Sequence, residues 1–265
     1  VYLAALLHDL WRRGHFLTLC NKWVGQAGIN VRTLAEVEIP LPPLDVQRQI
    51  VTELDGYRKI IEGARQVIAN YKPTIRIDPS WPRVKLGDAA EIIMGQSPPG
   101  ASYNKDGIGV PLINGPVEFD KDQLGQSRVI QYTSQPTKLC KKGDLLVCVR
   151  GATTGRTNIA SCDACVGRGV AAIRAKNQQW INWVVSSLRD EIYRWGSGST
   201  FANITTDSLS NIEIPLPSEE DQTRICSELE TERALIDANR ELVELFEQKS
   251  QDKLAEIWGE AEQTA

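Results

Sequence analysis

The side chains best suited to chemistry in this chain are cations set among glycines. Arg150 and Arg156 flank Gly151 and Gly155, and Arg168 sits between Gly167 and Gly169. Glycine lets a ligand come close to the backbone, and arginine pairs bidentately with phosphate or with a guanine edge. Glutamine and asparagine can do the same for adenine, while hydroxyls and backbone amides hold phosphates. Gln96, Ser97, Tyr103, Asn114, Thr153 and Thr154 stand in loops with that chemistry. For each of these residues the ordinary alternative is a turn side chain that satisfies its own backbone.

Other chemistries find no support. Residues 151–157 read G-A-T-T-G-R-T, in which the glycines are one residue too close for a nucleotide-triphosphate loop and arginine replaces its lysine. No G-x-G-x-x-G follows a strand, and the Asn-Pro-Pro-aromatic segment of amino-methyltransferases is absent. His8 and His15 both lie in the first 15 residues, without an evident serine or cysteine nucleophile. The six cysteines, Cys20, Cys140, Cys148, Cys162, Cys165 and Cys226, include one C-x-x-C but no second ligand pair at zinc spacing. They read as reduced structural thiols. The residues therefore imply no metal, no cofactor and no catalytic set.

These loops need a scaffold, and the chain writes part of it twice. Residues 29–50, INVRTLAEVEIPLPPLDVQRQI, recur as residues 204–225, ITTDSLSNIEIPLPSEEDQTRI, at a constant offset of 175. Each I-P-L-P is expected as an extended connector, because proline lacks an N–H and extends its predecessor. Leu44 and Asp45 in one copy, and residues 218–221 in the other, are placed to start a helix. Heptad stripes follow, with seam positions Ile50, Leu54, Ile61 and Ile68 in the first helix and Ile225, Leu229, Ile236 and Val243 in the second. Tyr57 and Tyr71 continue the first stripe, and polar Glu232 and Asn239 interrupt the second. Two equal units can bury equal faces against each other, so the helices are expected to pack as a pair.

With 265 residues and 42% hydrophobic content the chain can bury a real core. No apolar run reaches membrane-spanning length, and the chain reads as cytoplasmic, with no membrane partner. The net charge of -4 hides a polarised molecule. Residues 82–176 hold 13 Lys/Arg against 8 Asp/Glu, whereas residues 218–265 hold 5 against 14.

The expected layout is α+β, with one mixed α/β domain and two long helices in an antiparallel coiled coil. Residues 1–28 open in mid-helix and read as the tail of an earlier domain. Residues 29–73 form the first connector and long helix, 82–203 the mixed domain, and 204–260 the second connector and helix. Within the mixed domain, residues 144–150 form the clearest buried strand. Residues 81–88 read as a strand into a turn and 89–94 as a short apolar run, and further strands are expected over 110–114, 129–132, 157–161 and 170–174. Residues 162–169 read as a loop, and a single helix closes the domain over 178–195.

Several phrases together resemble the DNA-specificity subunit of type I restriction-modification systems. They are the doubled I-E-I-P-L-P; W-P-R-V-K-L-G-D at 81–88 with G-Q-S-P-P at 95–99; V-R-G-A-T-T-G-R at 149–156; V-G-R-G-V-A-A-I-R at 166–174; and G-S-T-F-A-N-I at 198–204. The resemblance covers nearly the whole chain. It implies target-recognition domains that each read half of a bipartite duplex site, held apart by an antiparallel coiled coil. It also implies modification (methyltransferase) and restriction subunits as partners, which carry the catalysis, and self-association as a further possibility because one complete recognition domain is present. The competing expectation, from the residues alone, is a coiled-coil assembly scaffold whose middle domain binds protein.

Overall fold

The repeat in sequence is a repeat in structure. In chain order, the computed structural model forms α1 (Tyr2–Arg12), α2 (His15–Leu19), β1 (Asn21–Trp23), β2 (Gln26–Gly28), α3 (Val31–Ala35) and α4 (Leu44–Asn70). There follow β3 (Arg83–Lys85), α5 (Leu86–Ala89), β4 (Ala90–Met94), β5 (Tyr103–Asn104), β6 (Val110–Ile113), β7 (Gln131–Thr133) and β8 (Leu139–Cys140). The remainder is β9 (Leu145–Cys148), β10 (Thr157–Ile159), β11 (Ala164–Val166), β12 (Val170–Ala175), α6 (Gln178–Ser187), α7 (Arg189–Gly196), α8 (Thr206–Ser210), β13 (Glu213–Pro215) and α9 (Glu219–Trp258). Residues 1–23, 26–196 and 204–259 are described, so most of the G-S-T-F-A-N-I phrase and the end of the expected mixed domain lie outside the described residues. Two units result, Val1–Lys72 with Thr231–Ala265, and Pro73–Glu230.

The 175-residue offset carries α3 onto α8. Each of these short helices is capped alike, with Asn30 accepting from the Thr33 amide at 2.8 Å and Thr205 from the Ser208 amide at 3.1 Å. Each is closed alike, by the Val37 amide on the Leu34 carbonyl at 3.3 Å and the Ile212 amide on the Leu209 carbonyl at 3.2 Å. After each I-P-L-P a glutamine folds back onto the last proline: Gln47 donates to the Pro42 carbonyl at 2.8 Å and Gln222 to the Pro217 carbonyl at 2.9 Å. Burial separates the two copies. Gln222 is buried and also accepts from Asn177 at 2.8 Å, whereas Gln47 is half-buried. Gln222→Ala is therefore expected to cost about 1–3 kcal/mol by stranding the buried Pro217 carbonyl and the half-buried Asn177 amide, and Gln47→Ala well under 1 kcal/mol. Thermal unfolding of the two variants checks the difference.

The helix starts differ from expectation in one copy. Ser218 does cap α9, accepting from the Asp221 amide at 3.1 Å. In the other copy Pro43 occupies the cap position with no side-chain bond, so Leu44 and Asp45 are first-turn residues rather than caps. The long helices run antiparallel, since partners of rising number in α4 have broadly falling numbers in α9. Glu53 meets Lys253 at 3.4 Å, Tyr57 meets Phe246 with ring centroids 5.4 Å apart, Arg65 pairs with Glu247, and the Tyr71 hydroxyl donates to Glu232 at 3.3 Å. At an offset of 175, Tyr57 corresponds to Glu232 and Tyr71 to Phe246. The two contacts are thus one contact seen from both ends, as a two-fold relation requires. The α4 seam is buried at Ile50 and half-buried at Leu54, Ile61 and Ile68; the α9 seam is buried at Leu229 and Ile236 and half-buried at Ile225 and Val243. Ile50 and Leu54 pack with Tyr2, Leu6 and Leu254 in the first unit, while Ile225 and Leu229 pack into the core of the second.

That second unit is built on a four-stranded antiparallel sheet, β10-β9-β12-β4, and a five-stranded sheet, β5-β7-β6-β11-β8, in which β6 and β11 run parallel. The run at 145–149 is apolar throughout because both its faces are covered. Leu145, Val147 and Val149 pack under Trp180, Ile181 and Val184 of α6, while Leu146 and Cys148 face Phe119, Ala164 and Val166. Three expectations are corrected. Residues 162–169 contain strand β11, fully buried between β6 and β8. The closing helix breaks at Leu188 into α6 and α7. The second I-P-L-P is extended, but its first half is strand β13, paired antiparallel with β3 so that Ile214 lies opposite Val84.

Candidate nucleic-acid interface

Four loops at one end of the two sheets are tied into a common rim by backbone bonds. The Gly95 amide donates to the Val170 carbonyl at 3.0 Å and the Gln96 amide to the Val166 carbonyl at 2.9 Å, drawing the loop after β4 against the β11–β12 turn. A Cβ on Gly95 would lie 2.2 Å from the Gly167 carbonyl oxygen, so the approach needs glycine. On the other side the Gly167 amide donates to the Ile113 carbonyl and the Val149 amide to the Gly169 carbonyl, each at 2.9 Å. A Cβ on Gly167 would fall 1.8 Å from Asn114 Oδ1. The G-R-G turn is therefore pinned between Ser97, whose Oγ accepts from the Arg168 amide at 3.4 Å, and Asn114.

This rim encloses an open cleft of about 850 Å³, and five of the nine expected residues line it: Ser97, Tyr103, Asn114, Arg150 and Arg168. Arg150 and Arg168 are exposed, and neither forms an ion pair with a described residue. Gln96 is exposed and adjacent in sequence to Ser97, outside the lining. The other three expected residues do not line the cleft. Thr154 is 2% exposed and donates its hydroxyl to the Gly151 carbonyl at 2.8 Å. Thr153 is half-buried at the end of the Gly151–Thr153 turn, outside the cleft lining. Arg156 is half-buried, with Nη2 on the Asp120 carbonyl at 2.7 Å. The cause is the tight turn over Gly151–Thr153, started by Gly151 at φ 75°, which aims the Thr154 hydroxyl back at the strand end.

Three lining residues with polar side chains escaped the sequence reading: Lys105, Glu118 and Gln131. The Glu118 carboxylate is buried, accepting from the Gly115 amide at 3.1 Å and from Gln131 Nε2 at 3.2 Å. Gln131 reaches the cleft because β7 pairs with β6, bringing it opposite Leu112, a pairing with no local signal. The cleft thus offers exposed cations, an amide held by a carboxylate, and an aromatic side chain, which is the equipment for holding phosphates and reading base edges. It offers no nucleophile with a base beside it. Burial pushes the Cys140, Cys148 and Cys226 thiols up to about 11, so at neutral pH all three are protonated. Among the described residues no three metal-ligating side chains cluster, and no helix is long and apolar enough to cross a membrane.

Comparison with known proteins agrees with this geometry. The family model described as "Type I restriction modification DNA specificity domain" matches residues 2–70 and 80–246. A Methanocaldococcus jannaschii protein described as a type I restriction enzyme MjaX specificity subunit is 32% identical over 286 residues, which covers 97% of this chain and 66% of that protein. A structure from a study of assembly and conformational transition of a type I R-M system is 31% identical, with TM-score 0.61, covering 89% of this chain and 65% of that one. The HsdS subunit from Thermoanaerobacter tengcongensis is 27% identical, with TM-score 0.57, covering 96% of this chain and 69% of that one. The chain therefore spans just under two thirds of the first of these relatives.

Proposed function

Because the chain belongs to the family of type I restriction-modification DNA-specificity domains, we propose that it is a non-catalytic subunit that recognises duplex DNA by sequence, with Pro73–Glu230 reading one half-site. The observation that supports this most is the convergence of Ser97, Tyr103, Asn114, Arg150 and Arg168 on one exposed cleft. Arg150, Arg168 and Lys105 position the backbone, and Asn114, Gln131 and the buried Glu118 face the base edges. The paired helices α4 and α9 serve as the scaffold on which modification and restriction subunits assemble. Residues 1–28 stand to α3 as the segment from α6 to residue 203 stands to α8, and we assign them to the close of a second recognition domain.

Selection of random duplexes by the chain together with its modification subunit tests the reading, and one enriched short half-site is expected. Three phosphate-bound cations give a salt slope near −2.7, so affinity should fall about 40-fold between 50 and 200 mM salt. If nothing is enriched at either salt while the two proteins still co-purify, the middle domain binds protein and the proposal fails.

A further inference from the structure

One side-chain amide of the cleft is held in a single orientation. Glu118 is 3% exposed, and both its carboxylate oxygens are engaged: Oε2 accepts from the Gly115 amide at 3.1 Å and Oε1 from Gln131 Nε2 at 3.2 Å. The backbone that carries Glu118 is pinned. Its carbonyl accepts from the Arg128 amide at 2.7 Å, and the next residue, Phe119, is fully buried and closes the turn with its amide on the Pro116 carbonyl at 3.3 Å. Gln131 is fixed from the other side, because β7 pairs with β6 and sets it opposite the fully buried Leu112.

A carboxylate only accepts hydrogen bonds, so the Gln131 amide has one way to lie, with its nitrogen on Glu118 and its oxygen turned elsewhere. No described residue donates to Gln131 Oε1, and Nε2 has a second N–H beyond the one given to Glu118. Gln131 lines the cleft, so an acceptor and a donor side by side are left for a ligand there. In the major groove, adjacent donor and acceptor on one base belong to adenine, at N6 and N7. Guanine offers two acceptors, cytosine a donor, and thymine an acceptor beside a methyl group. Asn114, the other amide in the lining, makes no side-chain hydrogen bond to a described residue and can turn to suit either kind of edge.

We propose that Gln131 reads an adenine at one position of the half-site and that Glu118 is the positioning residue that commits it to that base, an assignment that rests on the reading of this cleft as the DNA contact. Glu118 acts through Gln131, and exchanging its carboxylate for an amide should reverse what Gln131 shows. In Glu118→Gln the Gly115 N–H still needs an acceptor, which keeps the new amide oxygen there and turns the new nitrogen towards Gln131. The Gln131 amide then has to flip, giving its oxygen to that donor and its two N–H groups to the cleft. Two donors match guanine, whose O6 and N7 both accept.

The test is selection from random duplexes by the whole chain with its modification subunit, run in parallel for the parent, Gln131→Met and Glu118→Gln, with thermal unfolding of each. The parent should enrich a half-site in which one position prefers adenine by about tenfold or more. Gln131→Met keeps the length of the side chain without its amide and should lose the preference at that position alone. Glu118→Gln should move the same position to guanine. A pair with a structural role only would lower the unfolding midpoint of the variants and leave the selected bases as they are. The assignment is overturned if Gln131→Met selects the parent's bases, if the position it changes was not adenine, if its loss spreads over every position, or if a folded Glu118→Gln still selects adenine. Should Glu118→Gln fail to fold, Gln131→Met alone decides. A parent chain that enriches nothing defeats the recognition reading and this assignment with it, whereas an enriched half-site that ignores both variants defeats this assignment only.

Discussion

A chain carrying both Arg150→Ala and Arg168→Ala is expected to bind its duplex half-site about 100-fold more weakly at 0.1 M salt, a loss of roughly 3 kcal/mol. Both guanidinium groups stand exposed on the cleft without an ion pair to a described residue, so their removal strands no protein group and should leave the fold intact. The salt slope should drop by about 2 in the double variant if both arginines contact phosphate. If one instead reads a guanine, its single alanine variant should relax selection at one position and leave the slope alone. Arg156→Ala supplies the contrast within the same loop. Its guanidinium holds the Asp120 carbonyl, so the variant should lose stability and keep its affinity per folded molecule. Fluorescence anisotropy across a salt series, with unfolding midpoints measured in parallel, separates these results. Equal affinity of the double variant and the parent chain would remove this cleft as the DNA contact.

Trp180→Ala is expected to be the most damaging single change, costing about 3–5 kcal/mol. Its ring is fully buried where α6 meets the four-stranded sheet, and it stands edge-on to Trp81 at 6.1 Å between centroids. Its Nε1 donates to the Pro215 carbonyl at 3.0 Å, which ties α6 to the strand leading into α9. Trp180→Phe keeps most of the packing and strands the Pro215 carbonyl, so about 1–3 kcal/mol should be lost. Denaturant unfolding monitored by tryptophan emission orders the variants, and a phenylalanine variant as unstable as the alanine one would show that the hydrogen bond, not the ring, dominates.

How much was readable in advance depended on whether the cause was local. The paired helices followed from a repeat and a heptad step, both written in adjacent residues. Residues 145–149 were readable as a strand because nothing interrupts their apolar run. Strands β5, β8 and β11 have two or three residues each, too few for alternation to show, and they exist through partners distant in the chain. The cleft divides along the same line. Composition put Ser97, Asn114, Arg150 and Arg168 in polar loops, but the types of Thr153, Thr154 and Arg156 said nothing of direction, which the Gly151–Thr153 turn decides. Gln131 and Glu118 were illegible because only the β6–β7 pairing brings them to the rim.

The reciprocal contacts of α4 and α9 also have a midpoint. Halfway between Tyr57 and Tyr71 lies Ala64, and halfway between Glu232 and Phe246 lies Asn239, which are themselves counterparts at the 175-residue offset. A pairing centred in this way shares one reading frame between two distant stretches of gene. Seven residues added to α4 on one side of Ala64 would leave the rings of Tyr57 and Phe246 without each other unless α9 grew by the same amount in the matching place. Length in this helix pair is therefore a joint property, changed in step or not at all.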